Sequence, residues 1–361
     1  MEKGGKVHCC KYTKMRFIWG VVIILVLIPT AMLFLVTSVL LAGAPHVRVP
    51  AGYRIRDSKL PRTFAHRGST WLFPQNTLFA FRNSVALGAD VLDMDVRITK
   101  DGHVVLVHDP NLFEITGKNV KVSDSTLEQL QQLDFGFNWT LNGQTFPYRG
   151  IGIRVTKLED LVKEFPKALL NIELKLPDPG YFGRGRRVGA EVCRILRVNK
   201  ATDRAIVMSF SDLAWLNFRT TCPEVATASG PLGMLPAIIL AAVGFHAPPS
   251  LFPYSAIQPP MELAFKSFVS LAHKADLAFH VWTVDDPSDI SDLIEIGVDG
   301  IMSDRLDILL ESMHSRGGMG VLSADLISRI GTGKACEQTA DAHFARFVKA
   351  GCTASVQAES V

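Results

Sequence analysis

A 361-residue chain with 48% hydrophobic and 20% charged residues can bury a large apolar core, which excludes disorder as its main state. Its 38 basic and 35 acidic residues leave a formal charge of +3, too small an excess to favour nucleic-acid binding. The length admits one barrel-sized domain or two ordinary domains, and six cysteines are too few to indicate a disulfide scaffold.

The first predicted element is a membrane span close to the N-terminus. Residues 17–47 contain no Asp, Glu, Lys or Arg, and this run exceeds the roughly 20 apolar residues that a transmembrane helix needs. A cleaved signal peptide is the alternative, but its apolar region is normally only about 7–15 residues long. We expect one retained transmembrane helix over 17–43, preceded by a basic tail (1–16) and followed by a basic, extended linker (44–62).

The charges on either side of this span bear on its orientation. Five basic residues precede it and five follow it, and the closer spacing of the first five favours a cytoplasmic N-terminus. The sequence Asn138-Trp139-Thr140 matches a glycosylation sequon, which is relevant only outside the cytoplasm. We therefore expect the domain that follows the span to be lumenal or extracellular.

After the linker, apolar segments rich in β-branched residues alternate with amphipathic segments. The apolar segments predict strands within 89–98, 103–109, 167–176, 204–210, 277–284 and 297–304. The amphipathic segments predict helices at 76–87, 126–133, 158–165, 189–198, 212–220 and 287–296, the last with Asp286 as N-cap and Pro287 in its first turn. This series over 63–313 indicates an α/β fold with a parallel sheet, and its length favours a (β/α)8 TIM barrel. The tail at 314–361 has no readable role.

Residues 225–261 form an unusual stretch that contains no Asp, Glu, Lys or Arg but has seven prolines. Its most apolar part, 232–245, has only 14 residues, too few to span a membrane comfortably. Two interpretations are open. The stretch is either a barrel strand followed by a buried helix, or an apolar flap that lies on the bilayer beside the barrel mouth.

Three carboxylates occur in or at the ends of predicted strands. Asp93 and Asp95 are two residues apart on a strand, so both face the same side. Two such carboxylates would repel each other and be costly to bury without a compensating cation, unless the strand is an exposed edge strand. Together with Glu173 they predict a metal site, and three oxygen ligands favour Mg²⁺ or Ca²⁺ over zinc.

Imidazole and basic side chains are expected at the same rim. His66 and Arg67 end a short strand, His108 ends the 103–109 segment, and Lys175 lies two residues after Glu173. Functional residues of parallel barrels lie at the C-terminal ends of the strands. Two imidazoles can act as general acid and base, while Arg and Lys can bind non-bridging phosphate oxygens. The set therefore predicts chemistry on a phosphate ester.

These motifs, in this order, resemble the glycerophosphodiester phosphodiesterase family: AHRGSTWLFPQNTLFAF, GADVLDMDVRITKDGHVVLVHDPNL, TGKNVKVSDSTLEQLQQLDFG, LLNIELK, VWTVDDP and GVDGIMSD. The resemblance covers residues 63–305 and implies a metal-dependent TIM barrel that cleaves glycerophosphodiesters to an alcohol and a glycerol phosphate. By position, it assigns His66 and His108 to acid–base catalysis, Arg67 and Lys175 to phosphate binding, Asp93, Asp95 and Glu173 to the metal, and Trp282 to an aromatic wall of the substrate pocket.

Two positions depart from the family pattern. Gln75 and Asp93 stand where the family usually has Glu. Asp keeps the charge on a side chain that is shorter by one methylene, and Gln keeps a hydrogen-bonding oxygen without the charge. We interpret these departures as an altered site rather than an inactive one, because the other motif residues are all present.

The predicted anchor and the 225–261 stretch also resemble the membrane-bound eukaryotic branch of this family. That resemblance implies activity on lysophospholipids, as a lysophospholipase D that releases lysophosphatidic acid, as well as or instead of activity on glycerophosphodiesters. Two alternatives are open: a phospholipase D-like enzyme that forms a cyclic phosphate by intramolecular attack, and an inactive membrane-anchored barrel that only binds its ligand. No pattern in the loops indicates the head group.

Overall fold

A computed structural model describes residues 47–55, 59–175, 182–244 and 248–317. The predicted tail at 1–16 and the predicted transmembrane helix at 17–43 lie outside these ranges, as does the C-terminal tail beyond residue 317. Within them, no helix is long and apolar enough to cross a membrane.

The described residues form a barrel of eight parallel strands with one additional strand. The strands are β1 (Arg62–His66), β2 (Val91–Ile98), β3 (Val104–Leu106), β4 (Leu169–Leu174), β5 (Ala205–Met208), β6 (Ala226–Thr227), β7 (Ala256–Ile257), β8 (Ala278–Val281) and β9 (Gly300–Ser303). The parallel strands follow the order β6-β5-β4-β2-β1-β9-β8-β7. A parallel bridge between Ala228 and Ala256 links the two ends of this order. The barrel is therefore nearly closed, which confirms the predicted parallel barrel.

Strand β3 corrects the prediction for residues 103–109. It pairs antiparallel with β2, with Leu106 opposite Val96, and does not belong to the barrel. The chain reverses at Gly102, whose φ of 94° favours glycine. Side chains alternate in the same way along parallel and antiparallel strands, so the sequence pattern could not reveal the direction.

Ten helices are found in the described part of the chain: α1 (Leu78–Leu87), α2 (Phe113–Thr116), α3 (Leu127–Gln131), α4 (Leu158–Glu164), α5 (Phe182–Val198), α6 (Asp212–Thr221), α7 (Pro231–Ala242), α8 (Lys266–Lys274), α9 (Pro287–Ile296) and α10 (Leu306–Gly317). All six predicted helices are present, although α5 begins at Phe182 rather than at residue 189. The α9 prediction is confirmed in detail, because the Asp286 carboxylate accepts the Ser288 N–H at 2.8 Å.

The alternation of side chains along β2 separates the core from the site. Leu92 and Met94 belong to the apolar layer between the barrel and its helices, which includes Val192 of α5. Asp93 and Asp95 alternate with them and line a cavity instead. The period of two along a strand therefore places the carboxylates on one face and the core residues on the other.

Residues 47–55 correct the expectation of an extended linker over 44–62. Tyr53 is fully buried. Its hydroxyl accepts the Leu170 N–H at 2.8 Å and lies 2.7 and 2.8 Å from the carbonyl oxygens of Leu170 and Arg204. These groups lie at the starts of β4 and β5, so residues 47–55 cover the N-terminal end of the barrel, opposite the end where functional residues of such barrels lie.

The charge-free stretch at 225–261 forms β6, α7 and β7. The strand and the helix of the first interpretation are both present, and contact of this helix with a bilayer stays a prediction. The second strand, β7, was not predicted because a two-residue strand leaves no periodic pattern. Helix α7 is also only partly buried: Pro236, Ala237 and Ala241 are buried, whereas Leu232 and Val243 are exposed.

A disulfide joins Cys193 of α5 to Cys222 at the end of α6. The cysteine count gave no sign of it, because the two residues are 29 positions apart in the sequence and meet only when the helices pack. The remaining four cysteines lie outside the described residues: Cys9, Cys10, Cys336 and Cys352.

Candidate active site

The C-terminal ends of β1, β2 and β4 lie side by side and carry most of the predicted site. The register of the sheet places His66 beside Asp93, and Asp95 beside Glu173. His108 arrives from the hairpin rather than from a barrel strand, because Val107 N donates to Asp95 O at 3.0 Å.

These residues line one cavity of about 230 Å³. All eight site residues expected from the sequence lie in it: His66, Arg67, Asp93, Asp95, His108, Glu173, Lys175 and Trp282. The other lining residues are Asn171, Met208, Phe210, Gln258, Thr283 and Met302. The structure therefore brings the predicted residues together, while their individual roles stay predictions.

A tight turn after β1 directs Arg67 into the cavity. Arg67, Gly68 and Ser69 have φ values of 51°, 83° and 68°, a conformation that is unfavourable for residues other than glycine. A Cβ atom on Gly68 would lie 2.7 Å from the Cβ of Ala80 in α1, so only glycine fits there. Asn76 N donates to Arg67 O at 2.7 Å and fixes the other side of the turn.

Asp95 is buried among cations. Lys175 Nζ lies 3.2 Å from Asp95 Oδ1, and Arg67 Nε lies 3.2 Å from Asp95 Oδ2. Asn76 Nδ2 donates to the same carboxylate at 2.9 Å. Burial favours the neutral acid, but Lys175 and Arg67 hold the pKa of Asp95 below its usual value. Asp95 is therefore ionised at neutral pH.

The other two carboxylates have less compensation. Burial raises the pKa of Asp93 to about 6, although Asn171 Nδ2 donates to its Oδ1 at 2.7 Å. Burial and the nearby Asp95 charge raise the pKa of Glu173 to about 7, although Lys175 Nζ lies 2.6 Å from its Oε1. The protein therefore does not fully compensate a negative charge on either of these two carboxyl groups.

The chemistry of these side chains fits a hard divalent cation. Asp93, Asp95 and Glu173 offer oxygen ligands of the type that Mg²⁺ and Ca²⁺ prefer, and a cation would balance the charge on Asp93 and Glu173. The ligand atoms of the three carboxylates do not all lie within 4.8 Å of one another. Among the described residues, one group of His, Cys, Asp or Glu side chains meets that distance, namely Cys193, Cys222 and Glu224. The first two of that cluster form the disulfide.

Each histidine of the cavity is held by an aspartate. His66 Nδ1 lies 2.7 Å from Asp304 Oδ1, and His108 Nδ1 lies 2.8 Å from Asp109 Oδ1. Burial opposes the charged form of His66, but the bond to Asp304 and the Asp93 charge raise its pKa above the usual value. Burial lowers the pKa of His108 despite the nearby Asp95. In each pair, Nε2 is the ring nitrogen that the aspartate leaves free.

Two nitrogen atoms of the Arg67 guanidinium have polar contacts. Its Nη1 donates to Gln75 Oε1 at 3.3 Å, so the amide oxygen of Gln75 orients the guanidinium without a charge. Its Nε is buried and lies 3.2 Å from Asp95 Oδ2, an ion-pair contact whose geometry does not make it a hydrogen bond. A phosphate oxygen in the cavity would be a further acceptor for the N–H groups of this guanidinium.

An aromatic wall borders the cavity. Trp282 and Phe210 pack edge to face with their ring centroids 5.7 Å apart. Trp282 Nε1 donates to Gln258 O at 2.8 Å, which fixes the indole. Phe210 was not predicted, and its side chain is largely exposed. The wall is therefore rigid at Trp282 and open to solvent at Phe210.

Several supporting residues were missed by the sequence-based prediction. Asp304 directly follows β9, and this position at a strand end was a signal that could have identified it. Asn76, Asn171 and Gln258 carry no charge and gave no such signal. Gln258 Nε2 donates to Asn171 Oδ1 at 2.9 Å, so a second layer of amides holds the Asp93 carboxylate through Asn171.

Comparisons with known proteins agree with this geometry. The model of the glycerophosphoryl diester phosphodiesterase family matches residues 66–308. A glycerophosphodiester phosphodiesterase of Caldanaerobacter subterraneus subsp. tengcongensis is 29% identical over 258 residues, which cover 70% of this chain and 98% of that protein. A solved structure from Silicibacter pomeroyi superposes with a TM-score of 0.63 at 25% identity, covering 74% of this chain and 97% of that one.

One similarity is partial. A lysophospholipase D of Rattus norvegicus is 35% identical over 147 residues, which cover 40% of this chain and 44% of that protein.

Proposed function

The chain belongs to the glycerophosphoryl diester phosphodiesterase family, and we propose that it is a membrane-anchored, divalent-cation-dependent member that acts on glycerophosphodiesters and on lysophospholipids. The products are an alcohol with a glycerol phosphate from the first substrate class, and an alcohol with lysophosphatidic acid from the second. The observation that carries the proposal is the single cavity in which two histidines, two cations and three carboxylates meet.

We assign each of these residues one role in the reaction. Arg67 and Lys175 bind the non-bridging phosphate oxygens, Arg67 through the planar fork of its guanidinium and Lys175 as a point charge. One of His66 and His108 removes a proton from the attacking water, and the other protonates the oxygen of the leaving alcohol. Asp304 and Asp109 orient the two rings through Nδ1, which leaves Nε2 for the substrate.

Asp93, Asp95 and Glu173 would hold the cation. A bound divalent cation stabilises the charge that develops on the phosphoryl oxygens. Asn171 and Asn76 donate to Asp93 and Asp95 and so fix both carboxylates in the direction of the cavity. Such hydrogen bonds are expected to matter more here because Asp93 is shorter than the Glu usual in the family.

Two observations favour lysophospholipids as substrates beside glycerophosphodiesters. Phe210 is exposed beside Trp282 and offers an apolar surface next to the phosphate-binding residues. The partial similarity to a lysophospholipase D points the same way. A substrate with one acyl chain could place its phosphate in the cavity while its chain lies against this wall.

We propose that the barrel lies on the lumenal or extracellular side of the proposed anchor at 17–43. The disulfide between Cys193 and Cys222 supports that side, because disulfides persist in oxidising compartments and are rare in the cytosol. Protease protection in sealed microsomes tests the orientation: the barrel should resist digestion until detergent opens the membrane. Digestion of the barrel in intact vesicles would reverse the proposed orientation.

The activity is tested with the purified full chain, after chelation and readdition of Mg²⁺ or Ca²⁺. Glycerophosphocholine and lysophosphatidylcholine serve as substrates, and phosphorus NMR identifies the products. We expect hydrolysis that disappears on chelation and returns with the metal. A cyclic phosphate product would establish intramolecular attack instead.

The same assay tests the non-catalytic alternative. If the chain shows no divalent-dependent turnover, and the double variant Gln75→Glu/Asp93→Glu creates it, the natural protein is a binding protein rather than an enzyme. Turnover by the natural sequence excludes that alternative.

A further inference from the structure

Helix α7 differs from helix α9 in its outer face. In α9, Ile290 and Leu293 face the core, while Asp292 and Glu295 are exposed, which is the amphipathic pattern of a helix in contact with water. Helix α7 contains no charged residue, and its exposed positions are apolar. Leu232 is 55% exposed, and Val243, directly after the helix, is 71% exposed.

These two side chains lie on one face. They are eleven positions apart (243 − 232), which is close to three turns of about 3.6 residues each. Leu235 and Ile239 lie between them at helical spacing and are partly exposed. A row of apolar side chains therefore follows the outer side of α7 from end to end.

This row continues to the mouth of the cavity. The Asp212 carboxylate accepts hydrogen bonds from the backbone N–H groups of Leu232 and Gly233, which ties the start of α6 to the start of α7. Leu213 lies next to Asp212 and is exposed, as is Phe210 of the aromatic wall. We call Phe210, Leu213, Leu232 and Val243 the apolar ridge. It runs from the cavity that contains the catalytic histidines to the far end of α7.

The described chain begins beside the same helix. Ser255 Oγ donates to Val47 O. Tyr254, the residue before Ser255, donates from its hydroxyl to Gly233 O of α7 at 2.9 Å. The proposed anchor ends at residue 43, and the four residues from there to Val47 reach at most about 14 Å. The proposed anchor would therefore join the barrel at its N-terminal end, on the side where Tyr254 contacts α7.

We propose that the apolar ridge is a bilayer-docking surface, by which the barrel lies with α7 against the lipid and with the mouth of its cavity beside the membrane surface. Continuous exposed apolar surface marks interaction sites, and a charge-free helical face suits the boundary between head groups and acyl chains. A lysophospholipid then moves from the bilayer along the ridge to Phe210 without crossing water. The proposal uses the proposed anchor to locate the bilayer and does not depend on catalysis.

The contact is tested directly by photocrosslinking. The full chain is reconstituted in nanodiscs of dioleoyl phosphatidylcholine that contain a phosphatidylcholine with a diazirine in its acyl chain, and mass spectrometry locates the labelled peptides. We expect labelling of residues 210–213 and 231–244 and none of α9. Absence of label from 231–244 in nanodiscs that do label the proposed anchor would overturn the proposal, whether or not the enzyme is active.

The chain offers a matched control for mutagenesis. The ridge variant is Leu232→Glu/Val243→Glu, and the control is Leu141→Glu/Val198→Glu, whose side chains are 57% and 62% exposed outside the ridge. We expect the ridge variant alone to lose turnover of lysophosphatidylcholine in nanodiscs, by about tenfold. Turnover of water-soluble glycerophosphocholine stays unchanged in both variants.

Three results would contradict the docking surface. Equal loss on both substrates in the ridge variant would indicate a defect of the fold or of the cavity. Equal loss of lysophosphatidylcholine turnover in both variants would indicate a general effect of added charge. A wild-type dimer in detergent that the ridge variant converts to a monomer would identify a second copy of the chain as the occupant.

Discussion

The two ends of the barrel differ in how well their buried polar groups are compensated. At the mouth, the protein does not fully compensate a negative charge on Asp93 or Glu173, and the turn after β1 adopts an unfavourable conformation. At the N-terminal end, the hydroxyl of Tyr53 is surrounded by backbone groups that satisfy it. The difference shows where this fold holds its chemistry and where it gains stability.

The two ends are also joined by a buried row of polar side chains. Asn171 connects Asp93 to Gln258, and Gln258 Nε2 lies 3.2 Å from His280 Nδ1. His280 Nε2 donates to Tyr53 O at 2.8 Å. If mouth and N-terminal end are truly distinct in role, substitutions at each should change different measured quantities despite this connection.

The largest expected effect is at the mouth. His66→Ala should lower kcat/KM by about 10²–10⁴, because it removes a proton-transfer group from the reaction, and should leave the thermal unfolding midpoint nearly unchanged. His103→Ala is the control, since His103 is exposed and lies outside the cavity. Similar losses in both variants, measured with glycerophosphocholine, would refute the assignment of His66.

The pH dependence of the free energy of unfolding tests the protonation state of buried His280. Burial lowers the pKa of His280 from its usual value of 6.5 to about 4. As the pH falls, the unfolded chain therefore binds a proton at His280 before the folded chain does. The contribution of neutral His280 to the free energy of unfolding is fully present above pH 6.5 and is lost progressively between pH 6.5 and pH 4. The loss at this residue amounts to about 3 kcal/mol.

The variant His280→Gln isolates this contribution from other titrating groups. Chemical denaturation of both proteins between pH 7 and pH 4.5 should show a shallower decline for the variant. Parallel declines would mean that His280 has the same pKa in the folded and unfolded chains.

A smaller effect is expected for the residue that orients His66. Asp304→Asn should lower kcat by about 10- to 100-fold with little change in KM, because the ring loses its charged partner at Nδ1 while the substrate contacts stay. Asp109→Asn is the comparison, since Asp109 is the more exposed of the two aspartates. An equal or larger loss at Asp109 would contradict the importance given to the Asp304 pair.

The smallest expected effect is at the N-terminal end. Tyr53→Phe removes the hydroxyl that Leu170 N and two carbonyl oxygens use, and it should reduce the free energy of unfolding by about 1–2 kcal/mol. Turnover at 25 °C should be unchanged. A fall in kcat without a fall in stability would show that the buried row of polar groups transmits changes to the mouth.

The sequence indicated the barrel and the charged site residues for a physical reason. Buried strands must be apolar, so His66, Asp93, Asp95 and Glu173 stand out within or at the ends of such runs. Their partners were not predictable in the same way. Asn171 lies 78 positions from Asp93 and Asp304 lies 238 from His66, and only the register of the sheet decides which residues meet.

Other features could not be predicted because their sequence pattern is short or ambiguous. Strands β6 and β7 have two residues each, too few for a period. The direction of β3 depends on hydrogen bonding, which the alternation of side chains does not report. Residues 47–55 read as a linker because they contain basic and turn-forming residues, and only the packing of Tyr53 shows that they close the barrel.

The most direct test of the account is the release of glycerol phosphate from glycerophosphocholine by the purified full chain, followed by phosphorus NMR beside the double variant His66→Ala/His108→Ala. We expect the natural protein to release glycerol phosphate in the presence of a divalent cation, and the double variant to release none above the uncatalysed rate. Release by both proteins at the same rate would contradict the active site described here, and release by neither would contradict the activity.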